Sequence, residues 1–233
     1  MSSDDKMLLI RNYDLWCHLT EEEYQDLKIE HHYIEVPKGE YIYFEAHHHN
    51  KIYFVKEGYI KIGYIDNDGQ ERIKEIIQKG ELFGQFTLER NSLHGEFAQA
   101  HKDDVSICAF NIDEFEKLLK NRPDLALKFS KQVGAKLRNI ENRLLNLLNK
   151  DVKTRLVHFL WQLVEQKLGE NTAEGFCIPN YLRHEDIANL IGSSRQTVTT
   201  MINELETEQI LSYNRQQICF LDVKKLKKRV SVN

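Results

Sequence analysis

The sequence predicts an α+β protein in three parts: an N-terminal antiparallel β-roll, a long central helix and a C-terminal winged helix-turn-helix. Three observations predict it. Short β-rich runs between Tyr33 and Phe110 are punctuated by glycine and Asn/Asp turns. After Pro123 the apolar residues recur in alternating steps of three and four. Beyond Arg183, two short amphipathic segments are split by Gly192 and followed by two β runs flanking a polar turn.

Composition sets the frame. A chain of 233 residues fits two modest domains better than one large one, and 41% hydrophobic with 29% charged residues supports a packed core rather than a disordered or fibrous chain. No apolar run approaches the roughly 18 residues that cross a bilayer, and Met1-Ser2-Ser3-Asp4-Asp5 is acidic where a secretion signal would be basic, so a cytoplasmic location without membrane partners is expected. Cys17, Cys108, Cys177 and Cys219 form no Cys-x-x-Cys pair, which predicts structural thiols rather than a zinc or redox centre. The formal net charge of −4 hides an asymmetry: from Tyr181 onward eight basic residues face six acidic ones, so a polyanion would meet the C-terminal end.

In chain order, Thr20 with Glu23 reads as a capping box opening a short helix. The roll follows as the runs Tyr41–Phe44, Ile52–Val55, Tyr59–Ile62, Ile73–Ile77 and Val105–Phe110, with reversals expected at Gly39, Gly58, Asp68-Gly69, Gly80 and Gly84. Pro123 suits a first helical turn. The seam Val133, Leu137, Ile140, Leu144 and Leu147 then has coiled-coil spacing and polar flanks, the pattern of a helix that pairs with its own copy. A further helix spans Lys153 to Leu168 and stops at Gly169, with a loop from Glu170 to Gly175. The resulting division is residues 1–120 for the roll, 121–150 for the dimerisation helix and 151–233 for the C-terminal domain.

The C-terminal domain carries the most specific signal. His184 to Ile191 places Ile187, Leu190 and Ile191 on one side and is closed by Gly192. Ser194 caps the next helix, whose Val198, Ile202 and Leu205 turn inward. Arg195, Gln196, Thr199 and Thr200 are then left outward near its start, with Ser194 and Thr197 beside them. Arginine bonds guanine bidentately, glutamine bonds adenine, and threonine reaches a phosphate or a thymine methyl, so this face suits double-stranded DNA. Ile210–Tyr213 and Ile218–Leu221 flank a turn carrying Arg215, a hairpin wing with a basic tip.

These features resemble the Crp/Fnr family of bacterial transcription regulators over nearly the whole chain. Ala188–Leu205, with Ile-Gly-Ser-Ser-Arg-Gln-Thr-Val at its centre, is similar to the recognition unit. Val36-Pro37-Lys38-Gly39-Glu40, Tyr53–Gly58 and Lys79–Gly84 look like its cyclic-nucleotide-binding jelly roll. The resemblance implies a homodimer on a near-palindromic operator, contact with RNA polymerase, and a possible small-molecule effector in the roll. Arg195 matches the family's guanine-reading arginine. Gln196 replaces a frequent glutamate, Thr200 replaces a contacting arginine, and Arg183 replaces a capping threonine.

The implied effector pocket comprises Phe83, Gly84, Gln85, Glu96 and Phe97. Members that bind cyclic AMP carry an arginine for the cyclic phosphate where this chain has Gly95, Glu96 and Phe97, which argues against that ligand and leaves the cofactor unknown. Cys17 and Cys108 alone cannot supply a four-cysteine iron–sulfur cluster. His47-His48-His49 lacks a partnering carboxylate or cysteine at known spacing and reads as a solvated hairpin tip, with no metal assigned. No nucleophile–base pair marks a catalytic site. Two alternatives remain from other classes: a cyclic-nucleotide-binding sensory module without DNA function, and a cupin-like metalloenzyme built on His47, His49 and Glu57.

Overall fold

The computed structural model describes residues 31–44, 50–84, 96–166, 169–172 and 175–231. The helix expected near Thr20, the run His47-His48-His49 and Gln85 lie outside the described residues. The chain separates into two units, 1–138 and 139–233.

The first unit is an antiparallel roll of β1 (His31–Val36), β2 (Tyr41–Phe44), β3 (Lys51–Ile65), β4 (Glu71–Gln78), β5 (Leu82–Gly84) and β6 (Glu96–Asn111). Its order is β1-β6-β3-β4, with β2 also on β6 and β5 on β3. The sequence places a chain reversal at Gly58. The structure instead runs one strand through it, with register shifts on either side against β6. Gly58 sits at φ +86, and a Cβ there would lie 2.7 Å from the Asp104 carbonyl oxygen. Side chains alternate between sheet faces, so an extra residue flips the parity. The consequence is visible in the core: Tyr53 and Val55 before the bulge, and Ile60 and Ile62 after it, all join the same interior cluster with Tyr43, Phe83, Ala98 and Ile107.

The opposite face of β3 and β6 presents Ile52, Phe54, Cys108 and Phe110. Helix α1 (Ile112–Asn121), to which the sequence reading assigned no element, begins at an Asn111 cap that accepts from the Asp113 amide. It covers that face with Phe115, Leu118 and Leu119. Helix α2 (Pro123–Asn149) adds Leu125 and Phe129 from its first turns. Phe54 meets Phe110 and Phe115 meets Phe129 edge-on, each at 5.2 Å between centroids.

The second unit holds the end of α2, α3 (Val152–Glu165), β7 (Glu170–Thr172), β8 (Gly175–Pro179), α4 (His184–Ile191), α5 (Arg195–Thr207), β9 (Leu211–Tyr213), β10 (Gln217–Phe220) and α6 (Val223–Ser231). Asp151 caps α3, accepting from the Thr154 amide at 2.7 Å. The helix ends at Glu165, short of the expected Leu168. Glu170–Thr172, within the stretch expected as loop, forms strand β7, and the sheet has the order β7-β8-β10-β9. Strand β8 escapes a two-residue alternation reading because the successive residues Cys177 and Ile178 are both buried.

Candidate nucleic-acid interface

The turn between α4 and α5 is fixed by local chemistry. Gly192 takes the left-handed conformation at φ +66, and the Ser193 amide donates to the Ala188 carbonyl at 2.8 Å, closing α4. Ser194 starts α5, its hydroxyl accepting from the Thr197 amide at 3.1 Å. At the other end of α4, Arg183 is the cap by position only: its backbone amide donates to Asp186 Oδ2 at 2.7 Å, so Asp186 does the capping and is buried there.

Val198, Ile202 and Leu205 are buried under α5. Ser194, Arg195, Gln196 and Thr200 are exposed, and Thr197 is half-buried. Thr199 differs from the expected outward residue. It is half-buried, its hydroxyl donates to the Arg195 carbonyl at 2.9 Å, and it lies 2.8 Å from His184 Nδ1. With that hydroxyl proton spent on the carbonyl, His184 must hold its proton on Nδ1 and present it to Thr199. His184 Nε2 is then buried without a partner. Burial first, and the nearby Arg195 guanidinium second, hold the His184 pKa below its ordinary value.

Three supporting residues were invisible in the sequence because their partners are distant. Arg155 on α3 donates Nε to the Ile191 carbonyl at 2.8 Å, Nη2 to that of Gly192 at 3.0 Å and Nη1 to that of Lys150 at 2.7 Å, pinning the turn. Buried Asn180 donates Nδ2 to the Asn214 carbonyl at 2.6 Å and its amide to that of Gln216 at 2.8 Å, fixing the wing tip. The Tyr213 hydroxyl donates to the Leu182 carbonyl, and its ring packs on His184 at 4.7 Å. Arg215 is exposed at that tip, where Asn214 Oδ1 accepts from the amides of Gln216 and Gln217.

The seam residues divide. Val133 packs against the roll's outer core, whereas Leu137, Ile140, Leu144 and Leu147 are 56%, 55%, 55% and 40% exposed. Leu145 and Leu148 widen the stripe beyond the expected positions.

In the roll, Phe83 and Glu96 come together on the inner face through Tyr43. The Tyr43 ring stacks on Phe83 at 6.3 Å, and its hydroxyl donates to Glu96 Oε1 at 2.8 Å. Lys74 donates to Glu96 Oε2 at 2.7 Å. Burial, then the Glu96 charge, hold the Tyr43 phenol far above its ordinary pKa, so it remains a donor. Gly84 terminates β5 beside Tyr53. Phe97 is not part of this group: successive residues face opposite ways, and it lies on the outer face beneath Tyr41 and Phe44. No group of three or more potential metal ligands occurs among the described residues.

Fold and site together define a winged-helix DNA-binding protein carrying a roll of the cyclic-nucleotide-binding type. Residues 33–122 match the cyclic nucleotide-binding domain model and residues 154–229 the Crp-like helix-turn-helix domain model. The global nitrogen regulator of Nostoc sp. is 26% identical over 178 residues, covering 76% of this chain and 79% of that one. The CRP-like cAMP-activated global transcriptional regulator of Mycobacterium tuberculosis is 23% identical over 196 residues, covering 84% and 87%. Among solved structures, a CooA mutant from Carboxydothermus hydrogenoformans aligns with a TM-score of 0.73 at 26% identity, over 90% of this chain and 91% of that one. FixK2 from Bradyrhizobium japonicum shares the fold with a TM-score of 0.73 at 23% identity, over 86% and 97%. The chain belongs to the Crp/Fnr family of transcription regulators, and its function is sequence-directed DNA binding rather than catalysis. Among the described residues no helix is long and apolar enough to cross a membrane.

Proposed function

We propose that this regulator acts in the cytoplasm as a homodimer that lays two copies of α5 into successive major grooves of a near-palindromic operator and contacts RNA polymerase from there. The reading rests on one observation above others: Arg195, Gln196 and Thr200 stand exposed at the start of a helix whose opposite side is locked into the core by Val198, Ile202 and Leu205. Ser194 and Thr197 at the helix start, and Arg215 at the wing tip, serve the flanking phosphates, with Thr199 acting through its hold on His184. The exposed stripe from Leu137 to Leu147 supplies the two-fold seam, within a dimerisation helix spanning residues 121–150, between a sensing roll of residues 1–120 and a DNA-binding domain of residues 151–233.

The roll takes an effector other than cyclic AMP. Glu96 turns its carboxylate to the inner face, where it already holds Tyr43 and Lys74, so a cyclic phosphate would compete with it for that cation, and the described residues of that face offer no arginine. Effector binding would act by shifting the population of dimers whose recognition helices match the half-site spacing. Selection of duplexes from a random library by the purified protein is the test. Enrichment of an inverted repeat with half-site centres about 10 base pairs apart is expected, and a failure to enrich any repeat under all effector conditions would refute it.

A further inference from the structure

We propose that Cys177 and Cys219 are a reversible dithiol–disulfide pair, through which a disulfide-class oxidant such as glutathione disulfide locks the wing to β8 and a thiol reductant releases it. The two residues stand directly opposite each other in the antiparallel β8–β10 register, with Cα atoms 4.0 Å apart and the sulfurs bonded. The bond spans a sequence separation of 42 residues. That span holds α4, α5 and β9, together with the end of β8 and the start of β10. A cross-link here closes a covalent loop that encloses α4, α5 and the wing turn.

The pair is placed to act on the wing. Three residues beyond Cys177, Asn180 holds the wing tip at Asn214 and Gln216. Three residues before Cys219 is Gln216 itself. From β9 the path continues through Tyr213 against His184 and from His184 to Thr199 on α5, at 4.7 and 2.8 Å. Reduced, the sulfurs stand at van der Waals contact instead of bond length. Cys219 is 1% exposed, and without the bond β8 and β10 are held together there by their backbone ladder alone, so the wing is freer to move against β8.

Access comes from one side. Cys177 is covered by β7, a strand of three residues at the sheet edge, whose Thr172 hydroxyl lies 3.3 Å from the Cys177 sulfur. A strand this short and marginal opens easily. Oxidation then proceeds by two exchanges. The Cys177 thiolate attacks glutathione disulfide and expels one glutathione thiolate. The Cys219 thiolate attacks the mixed disulfide and expels the second, so the two electrons and two protons of the protein thiols end on two glutathione thiols. Cys108 differs by position: it is the free cysteine among the described residues, with no second sulfur opposite it, and burial pushes its thiol up to about 11.

The consequence for DNA rests on the proposed function, but the chemistry does not, and the test separates them. The full-length protein is equilibrated in glutathione buffers from reduced to oxidised, free thiols are trapped with iodoacetamide, and peptides are identified by mass spectrometry. Amide exchange over residues 211–221 is followed in both states. The expected result is a Cys177–Cys219 linked peptide that rises and falls reversibly, with wing amides exchanging about tenfold faster in the reduced protein. Cys219→Ala should exchange at the reduced rate in every buffer. Comparing the two redox states of the unaltered chain decides the matter if that variant fails to fold. A pair that stays reduced throughout, or identical wing exchange in the two states, overturns the proposal. Affinity for a duplex selected by the reduced protein should change at least severalfold on oxidation. An unaltered affinity with reversible wing exchange would leave the thiol chemistry standing and remove its link to DNA.

Discussion

Replacing Arg155 with alanine is the sharpest structural perturbation available to the reading apparatus. Its guanidinium serves three carbonyls at once, two of which belong to Ile191 and Gly192 at the end of α4. Those carbonyls carry the negative pole of the helix, so the cation is placed where its charge adds to its geometry. A hydrogen bond with one charged partner contributes about 1.5–3 kcal/mol when buried. The site is only half-buried and water replaces part of each bond, so the three together should cost about 2–4 kcal/mol rather than their sum. In a unit of this size that lowers the unfolding temperature by about 10 °C or more. Arg155→Lys keeps the charge but reaches one carbonyl instead of three and should fall between. Differential scanning calorimetry of the full chain reads this directly. A shift of the second unit's transition by less than about 2 °C would refute the view that Arg155 holds the turn.

Other consequences are equally direct. Arg195→Ala should weaken binding to a selected operator by about 1–3 kcal/mol, roughly five- to 150-fold, while changing non-specific affinity far less; a uniform loss on all duplexes would reassign Arg195 to a phosphate contact. Leu137→Glu with Leu144→Glu should give a monomer in sedimentation equilibrium, and a persistent dimer would place the seam elsewhere. His184 is held below its ordinary pKa, so the unfolded chain takes up its proton first as pH falls. The native state therefore loses stability from about pH 6.5 downward until the lowered value is passed. Urea unfolding at pH 7.5 and 5.5 should show a larger loss for the natural chain than for His184→Gln, and equal losses would discount the neutral His184–Thr199 contact.

The parts of the fold that were legible in the sequence are those whose cause is local. Gly192, Ser194 and the apolar spacing of Val198, Ile202 and Leu205 place the recognition helix because capping and helical period act within a few residues. Strand content in the roll was readable for the same reason. Its connectivity was not, since glycine marks a bulge and a reversal alike: Gly58 tells them apart only through its approach to Asp104, 46 positions away. Phe97 was assigned to the pocket because it sits in the neighbourhood of the family's phosphate-binding arginine, and strand alternation puts it on the other face. Cysteine spacing led to an expectation of structural thiols because it inspects neighbours along the sequence, whereas Cys177 and Cys219 are bonded across the strand register. Arg155, Asn180 and His184 escaped for the same reason, each serving partners that only the folded chain brings near.

The central claim is that α5 reads base sequence from both halves of a symmetric site. Its most direct test is the affinity of the dimer for a selected inverted repeat compared with the same duplex carrying one scrambled half-site, measured by fluorescence anisotropy at fixed salt. The account predicts a loss of at least about 10³-fold toward the non-specific level. Equal affinity for the two duplexes, with the same steep salt dependence, would show binding to backbone charge alone and contradict it.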